Sequence, residues 1–144
     1  YPSLAGTTRQ ALTWFDKRDG NEEVYLTIGS RRAIRQGTAR PIRVTSTAGA
    51  SIGTSLTWGG RAGNERLGLA WSDNTEGQHE IYLRTFAPDG RPLTPARRVT
   101  RNSSASLIPA IVPSSDGFAL AWNEYVQATA GTPEASQIAF ARVP

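Results

Sequence analysis

Six carboxylates stand at matched intervals in two stretches of the chain, and they are the residues best placed to do chemistry. Asp16, Asp19 and Glu23 recur as Asp73, Glu76 and Glu80, each set carrying a glycine (Gly20, Gly77) and an amide (Asn21, Gln78) at the same offsets. Oxygen ligands clustered on a tight, glycine-containing loop are what a hard cation such as Ca²⁺ requires, since it takes roughly six to eight of them. On that reading Asp16, Asp19, Asp73 and Glu76 are the candidate metal ligands. The same pattern also makes a turn with no ion at all: glycine accepts positive φ and the leading Asp caps the turn through its side chain. The spacing is not that of a calcium loop, which favours the turn. Other reactive groups are sparse. His79 is the single histidine and there is no cysteine, which excludes a multi-histidine metal site and thiolate chemistry. His79 is expected to be solvent-exposed in its loop. Two carboxylates about 5 to 9 Å apart can cleave a glycosidic bond, but twelve acids offer so many pairs that their presence selects nothing. No phosphate-binding glycine loop appears, and the basic residues are not interleaved with aromatics, so nucleic acid is not an expected partner.

The elements that must position these residues are set by repetition. From Trp14 the chain reads Trp14, Asp16, Asp19, Gly20, Asn21, Glu23, Val24, Tyr25, Leu26; from Trp71 it reads Trp71, Asp73, Glu76, Gly77, Gln78, Glu80, Ile81, Tyr82, Leu83. Arg43-Val44-Thr45 closes the first copy, Arg98-Val99-Thr100 the second, and a third opens at Phe118-Ala119-Leu120-Ala121-Trp122. Repetition of short strands at about fifty residues reads as stacked or radial repeats. Leu107 to Val112 and Phe118 to Trp122 flank the turn cluster Ser114-Ser115-Asp116-Gly117 and give strands A and B of the third copy. In the second copy Leu67 to Trp71 is strand B, Ile81 to Phe86 strand C and Ala96 to Thr100 strand D. Small Gly, Ala and Ser beside Trp in strand B would let neighbouring sheets approach closely. The predicted fold is therefore all-β, made of four-stranded antiparallel meanders that are blades of a β-propeller: residues 3–45, 51–100 and 106–144 of a 144-residue partial propeller. The third blade lacks its fourth strand, because Ile138 to Val143 matches strand C. Propellers close with about four to eight blades, so a second copy of the chain, or a partner polypeptide, is expected to complete this one. With Tyr1 leading straight into the repeat, a processed or trimmed polypeptide is expected, and no apolar run approaches the roughly twenty residues of a membrane span.

The phrases Leu69-Ala70-Trp71-Ser72-Asp73, Glu80-Ile81-Tyr82-Leu83, Asp89-Gly90 and Arg98-Val99-Thr100 resemble the repeats of bacterial secreted propellers of the sialidase-like, Asp-box type. That family's box reads Ser-x-Asp-x-Gly-x-x-Trp in the C–D turn; here the turn is Ala87-Pro88-Asp89-Gly90-Arg91-Pro92, a degenerate form without the Ser and Trp. The resemblance implies a secreted or cell-envelope setting and ligand binding at the end of the axis carrying the B–C and D–A loops.

Charge follows the strand scheme. Nine of the twelve acids fall between strands B and C, whereas nine of the sixteen basic residues fall in strand C, strand D or the connection between them. One rim should attract cations or basic partners and the other anions such as acidic glycans or phosphates. The third B–C connection, from Glu124 to Gln137, is six residues longer than its counterparts. Long loops on a rigid scaffold carry recognition or are disordered, and Tyr125-Val126 argues for contact. Trp122, Tyr125, Asp16, Asp73 and Glu124 are accordingly the expected ligand-binding residues, although a Trp recurring at one position (Trp14, Trp71, Trp122) also packs between blades. The functional expectation is a non-catalytic binding segment for a protein or glycan, working with further blades. The alternatives are a sialidase-like glycoside hydrolase fragment and a purely structural piece of a larger secreted protein.

Overall fold

Each sheet grows from the hairpin that the Asp and Gly of its turn specify. In the computed structural model, which describes residues 2–129 and 134–144, β2 (Arg9–Asp16) pairs antiparallel with β3 (Glu23–Ser30), Asp16 opposite Glu23. Gly20 bends the chain at φ 115° and donates its N–H to Lys17 O at 3.0 Å. Flanking strands β1 (Ser3–Gly6) and β4 (Ile42–Arg43) complete a four-stranded sheet in sequence order. The second sheet repeats it with β5 (Ser51–Gly59), β6 (Arg66–Asp73), β7 (Glu80–Phe86) and β8 (Arg97–Arg98), the turn Gly77 having φ 117°. The third has β9 (Ala105–Pro113), β10 (Phe118–Val126) and β11 (Ala135–Val143), with β10 in the middle. All-β architecture in three antiparallel meanders of four, four and three strands is thus as the repeats predict.

Strand parity sends one face of each sheet to each neighbour. Ala11, Val24 and Leu26 of the first sheet meet Leu56, Leu67, Leu69, Trp71 and Phe86 of the second in one core. Ala70, Ile81 and Leu83, on the second sheet's opposite face, meet Ile111, Phe118, Leu120, Trp122 and Val143 of the third. The small residues of strand B set the spacing. A Cβ on Gly68 would lie 2.7 Å from Phe118 Cε1 and 2.9 Å from Ile111 Cδ1.

Four local features differ from the sequence expectation. Strand D is only two residues long, Arg97–Arg98 rather than Ala96 to Thr100: beyond it Val99 N still donates to Ile81 O at 2.7 Å, but Ile81 N turns to the Thr100 hydroxyl at 2.8 Å instead of to a backbone carbonyl. The first C–D connection holds a helix, α1 (Arg31–Gln36), capped by Ser30 Oγ accepting from Ala33 N and closed by Gly37 at φ 66°. The third B–C insertion extends the strands: Glu124, Tyr125 and Val126 pair with Gln137, Ser136 and Ala135. Only 127–134 connect them, and 130–133 lie outside the described residues. Finally, the first strands of sheets two and three are bulged at the same place, with φ 63° at Gly53 and φ 55° at Ile108. A β-branched residue rarely adopts that conformation, so the bulge persists in the third sheet against local preference.

Gly68→Val should force Phe118 from its site and destabilise the protein by roughly 1–3 kcal/mol in chemical denaturation; an unchanged midpoint would show that the second and third sheets can move apart freely.

Candidate functional site

The end of the sheets carrying the B–C turns holds nearly all the residues that the sequence marks, and there the carboxylates and amides of the two matched turns are hydrogen-bonded. Asp16 Oδ1 accepts from Arg18 N at 3.1 Å and Asp73 Oδ1 from Thr75 N at 2.8 Å, so the leading Asp caps its own turn. The second acid faces the stacked Trp–Tyr pair: Asp19 accepts from the Tyr25 hydroxyl, Glu76 from Tyr82 at 3.4 Å. The amide ties down the connection to the next sheet, with Asn21 Nδ2 donating to Thr47 O at 3.0 Å and Gln78 Nε2 donating to Asn102 O. The closing Glu is the most buried. Glu23 is 0% and Glu80 1% exposed. Glu23 accepts from the Thr45 hydroxyl, from Arg43 Nη2 at 3.1 Å and from Thr47 N at 3.0 Å. Glu80 accepts from the Thr100 hydroxyl and from Arg98 Nη2 at 2.7 Å. Thr45 and Thr100 in turn accept from Val24 N and Ile81 N, both at 2.8 Å. The recurring Arg-Val-Thr phrase is therefore the binding partner of the recurring Glu. Where the third sheet has no fourth strand, the register position of Glu23 and Glu80 holds the neutral Gln137.

Asp16 and Asp19 belong to one turn, Asp73 and Glu76 to another, and among the described residues no group of three or more His, Asp or Glu is arranged to hold a metal. Asp16 and Asp73 cap their turns, and Asp19 and Glu76 accept from the Tyr25 and Tyr82 hydroxyls. Of the expected ligand residues Asp16 stands on the first sheet, Asp73 on the second, and Trp122, Glu124 and Tyr125 on the third. Asp73, 4% exposed, accepts from Ser51 Oγ at 2.6 Å and from Thr47 Oγ1 at 3.1 Å. Glu124 accepts from Asn102 Nδ2. Trp122 is buried in the second inter-sheet core, and Tyr125 lies half-buried on β10 opposite Ser136. His79 is half-buried rather than exposed, and burial pushes its pKa down.

Electrostatics at this end also departs from the sequence picture. Arg43 and Arg98, counted with strand D, reach the acidic turns, because Arg43 pairs with Tyr25 and Arg98 with Tyr82 at the B–C end of strand C. Together with Lys17 and Arg18 they form all the ion pairs among the described residues, with Asp16, Asp19, Glu22, Glu23, Glu76 and Glu80. Hydrogen bonds from the Arg18 side chain hold the Asp16 carboxyl down at about 2. The same guanidinium lies over the Tyr25 ring, 4.5 Å from its centroid. Burial first, and the bond to Asp19 second, raise the Tyr25 phenol to about 12.

At the opposite end, between the A–B turns and C–D connections, the cations are left over. A cleft of about 620 Å³ is lined by Gly6, Thr7, Thr8, Arg9, Trp58, Glu65 and Pro88. Its surface continues over the Gly6–Thr8 turn to Ser30, Arg31 and Arg32, and then to Arg35 on α1. Arg9 reaches across the cleft to Pro88 O at 2.8 Å. Arg31, Arg32 and Arg35 are exposed and make no ion pair with the described residues. Trp58, out of register with the other tryptophans, is half-buried against the first core, and its indole N–H finds no hydrogen-bond partner among the described residues. Sequence reading missed this cleft because its residues come from separate turns of two sheets; the one signal was a tryptophan that broke the repeat. Compared with known proteins, the chain matches no family model, no curated protein and no solved structure.

Glu80→Ala should cost roughly 3 kcal/mol of stability by removing a buried charge from its hydrogen-bonded partners, whereas Arg101→Ala, at an exposed neighbour, should change it by less than about 0.5 kcal/mol. Equal effects of the two substitutions would rule out a structural role for the Glu80 network. The raised Tyr25 pKa belongs to the folded state, so its stabilisation is complete below the ordinary phenol value of 10.0 and is lost as pH climbs toward about 12. Absorbance titration should show Tyr25 ionising near the latter value, with Tyr82 also raised by burial and Glu76, and the late phase should shrink by one phenol in Tyr25→Phe.

Proposed function

We propose that this chain is a non-catalytic binding segment of a secreted or cell-envelope propeller, and that its ligand is an acidic glycan held at the Arg-bearing cleft. One observation carries the reading: Arg31, Arg32 and Arg35 are exposed, make no ion pair with the described residues, and adjoin a cleft that also offers an indole and hydroxyls. A guanidinium matches a carboxylate or sulfate with two parallel hydrogen bonds. Trp58 supplies an apolar ring face of the kind a sugar ring packs against, while Thr7, Thr8 and Glu65 supply partners for hydroxyl groups. Hydrolysis of a glycosidic bond needs two carboxyl groups flanking it, and Glu65 is the sole carboxylate among the residues lining the cleft. That favours binding over turnover. The ligand-binding end is then the one opposite to that implied by the resemblance to sialidase-like propellers.

Calorimetric titration with a uronate-containing oligosaccharide and a neutral one of equal length tests the proposal. The acidic sugar should bind, should weaken as salt is raised, and should lose affinity at least roughly tenfold when Arg31, Arg32 and Arg35 are all replaced by alanine. Trp58→Ala should weaken it without changing the salt dependence. Equal binding of the neutral sugar, or release of reducing ends from either, would overturn the reading.

A further inference from the structure

Both junctions between sheets use the same register positions, and the two ends of the chain present the two unmatched halves of a third. On strand C, Val24 and Leu26 are each 0% exposed beneath the second sheet, and Ile81 and Leu83 are 0% and 4% exposed beneath the third. The corresponding residues of β11, placed by pairing opposite Asn123 and Ala121, are Ile138 and Phe140. They are 72% and 63% exposed. The other half of a junction is built on strand A. Leu56, opposite Leu69, is 5% exposed where the second sheet meets the first. Leu4, opposite Leu12, holds that position on the outer face of the first sheet and is 56% exposed. Large apolar residues standing on a sheet face at such exposure mark an interaction surface.

We propose that the open face of the first sheet docks on the open face of the third sheet of a second copy of this chain, repeating between chains the junction that each chain already contains twice. The occupant follows from the halves themselves. What covers Val24 and Leu26, and again Ile81 and Leu83, is in each case the strand A and strand B face of the following sheet. The first sheet, through Leu4 and Leu12, is the one sheet of this chain whose face of that kind is not already covered. The contact is head-to-tail, so it closes only if the accumulated rotation returns to its start. Two copies together bring six sheets, within the about four to eight with which a propeller closes. In such a pair both junctions form at once, each copy giving its first sheet to one and its third sheet to the other. The proposal is independent of the ligand assigned to the Arg-bearing cleft.

Sedimentation velocity on the whole chain and on the variants Leu4→Asp and Phe140→Asp tests it. The unaltered chain should sediment at twice the chain mass, and each variant alone as a monomer with unchanged far-ultraviolet circular dichroism, since both side chains are exposed in the single chain. Mixing the variants in equal amounts leaves one unaltered face on each partner, and these two faces form one intact junction, so a two-chain species should return. A chain that stays monomeric at every concentration overturns the proposal. So does association lost in one variant alone, because that pattern means like faces meeting like, and the mixture would then gain nothing.

Discussion

A buried glutamate with no water to solvate it is the constraint on which the first two sheets are organised. An ionised carboxylate taken out of water is tolerated only when paired and hydrogen-bonded. Glu23 and Glu80 each meet that demand by drawing in an Arg and a Thr from beyond the end of strand C. The Thr hydroxyl is used twice, donating to the carboxylate and accepting from the backbone N–H that follows the Glu. The Arg also closes on its own segment, Arg43 Nε donating to Thr45 O and Arg98 Nε to Thr100 O, both at 2.9 Å. A strand D of two ladder residues is held by side chains where backbone pairing would have been too short to hold it.

The same construction delivers the chain to the next sheet. Ser51 N donates to Glu22 O at 2.8 Å and Ser106 N to His79 O at 2.7 Å, each joining the start of one sheet to the turn of the sheet before it. Folding therefore spends the charge of the B–C end on internal pairs. Cations without an ion pair among the described residues are left to the other end, where Arg9 lines the cleft between the first two sheets and Arg31 and Arg32 line the adjoining surface across the Gly6–Thr8 turn. Ion pairing occupies one end and these arginines the other, which is why the residues most conspicuous in the sequence are structural and those that the proposed function assigns to binding are inconspicuous.

Much of the fold was legible because the repeat states it more than once. Trp14 and Trp71, with the turn glycines Gly20 and Gly77, place the hairpins correctly, and the small residues of strand B do set the sheet spacing at Gly68. The Asp-x-x-acid-Gly-amide-x-Glu pattern was visible as a pattern, yet the partners of its Glu lie about twenty residues onward, and local reading offers only a turn or a cation. Helix α1 was hidden by its shortness, although Ser30 and Gly37 mark its two caps. The extension of β10 and β11 was hidden because extra residues in a hairpin read as loop until their pairing is known. Trp58 and Arg9 line one cleft only through the packing of the first two sheets, which no local pattern encodes.

Amide hydrogen exchange at Val24, Ile81, Ser51 and Ser106 is the most direct test of the central claim that the glutamate networks clamp the first two sheets and that each launches the sheet that follows. The account predicts that these four amides, which lie outside the ladders between strand pairs or depend on a side-chain acceptor, exchange as slowly as the central ladder amides Leu69 and Leu120 and through the same global opening. Exchange of Val24 and Ile81 at the rate of the exposed turn at 61–64, while the ladders stay protected, would contradict it.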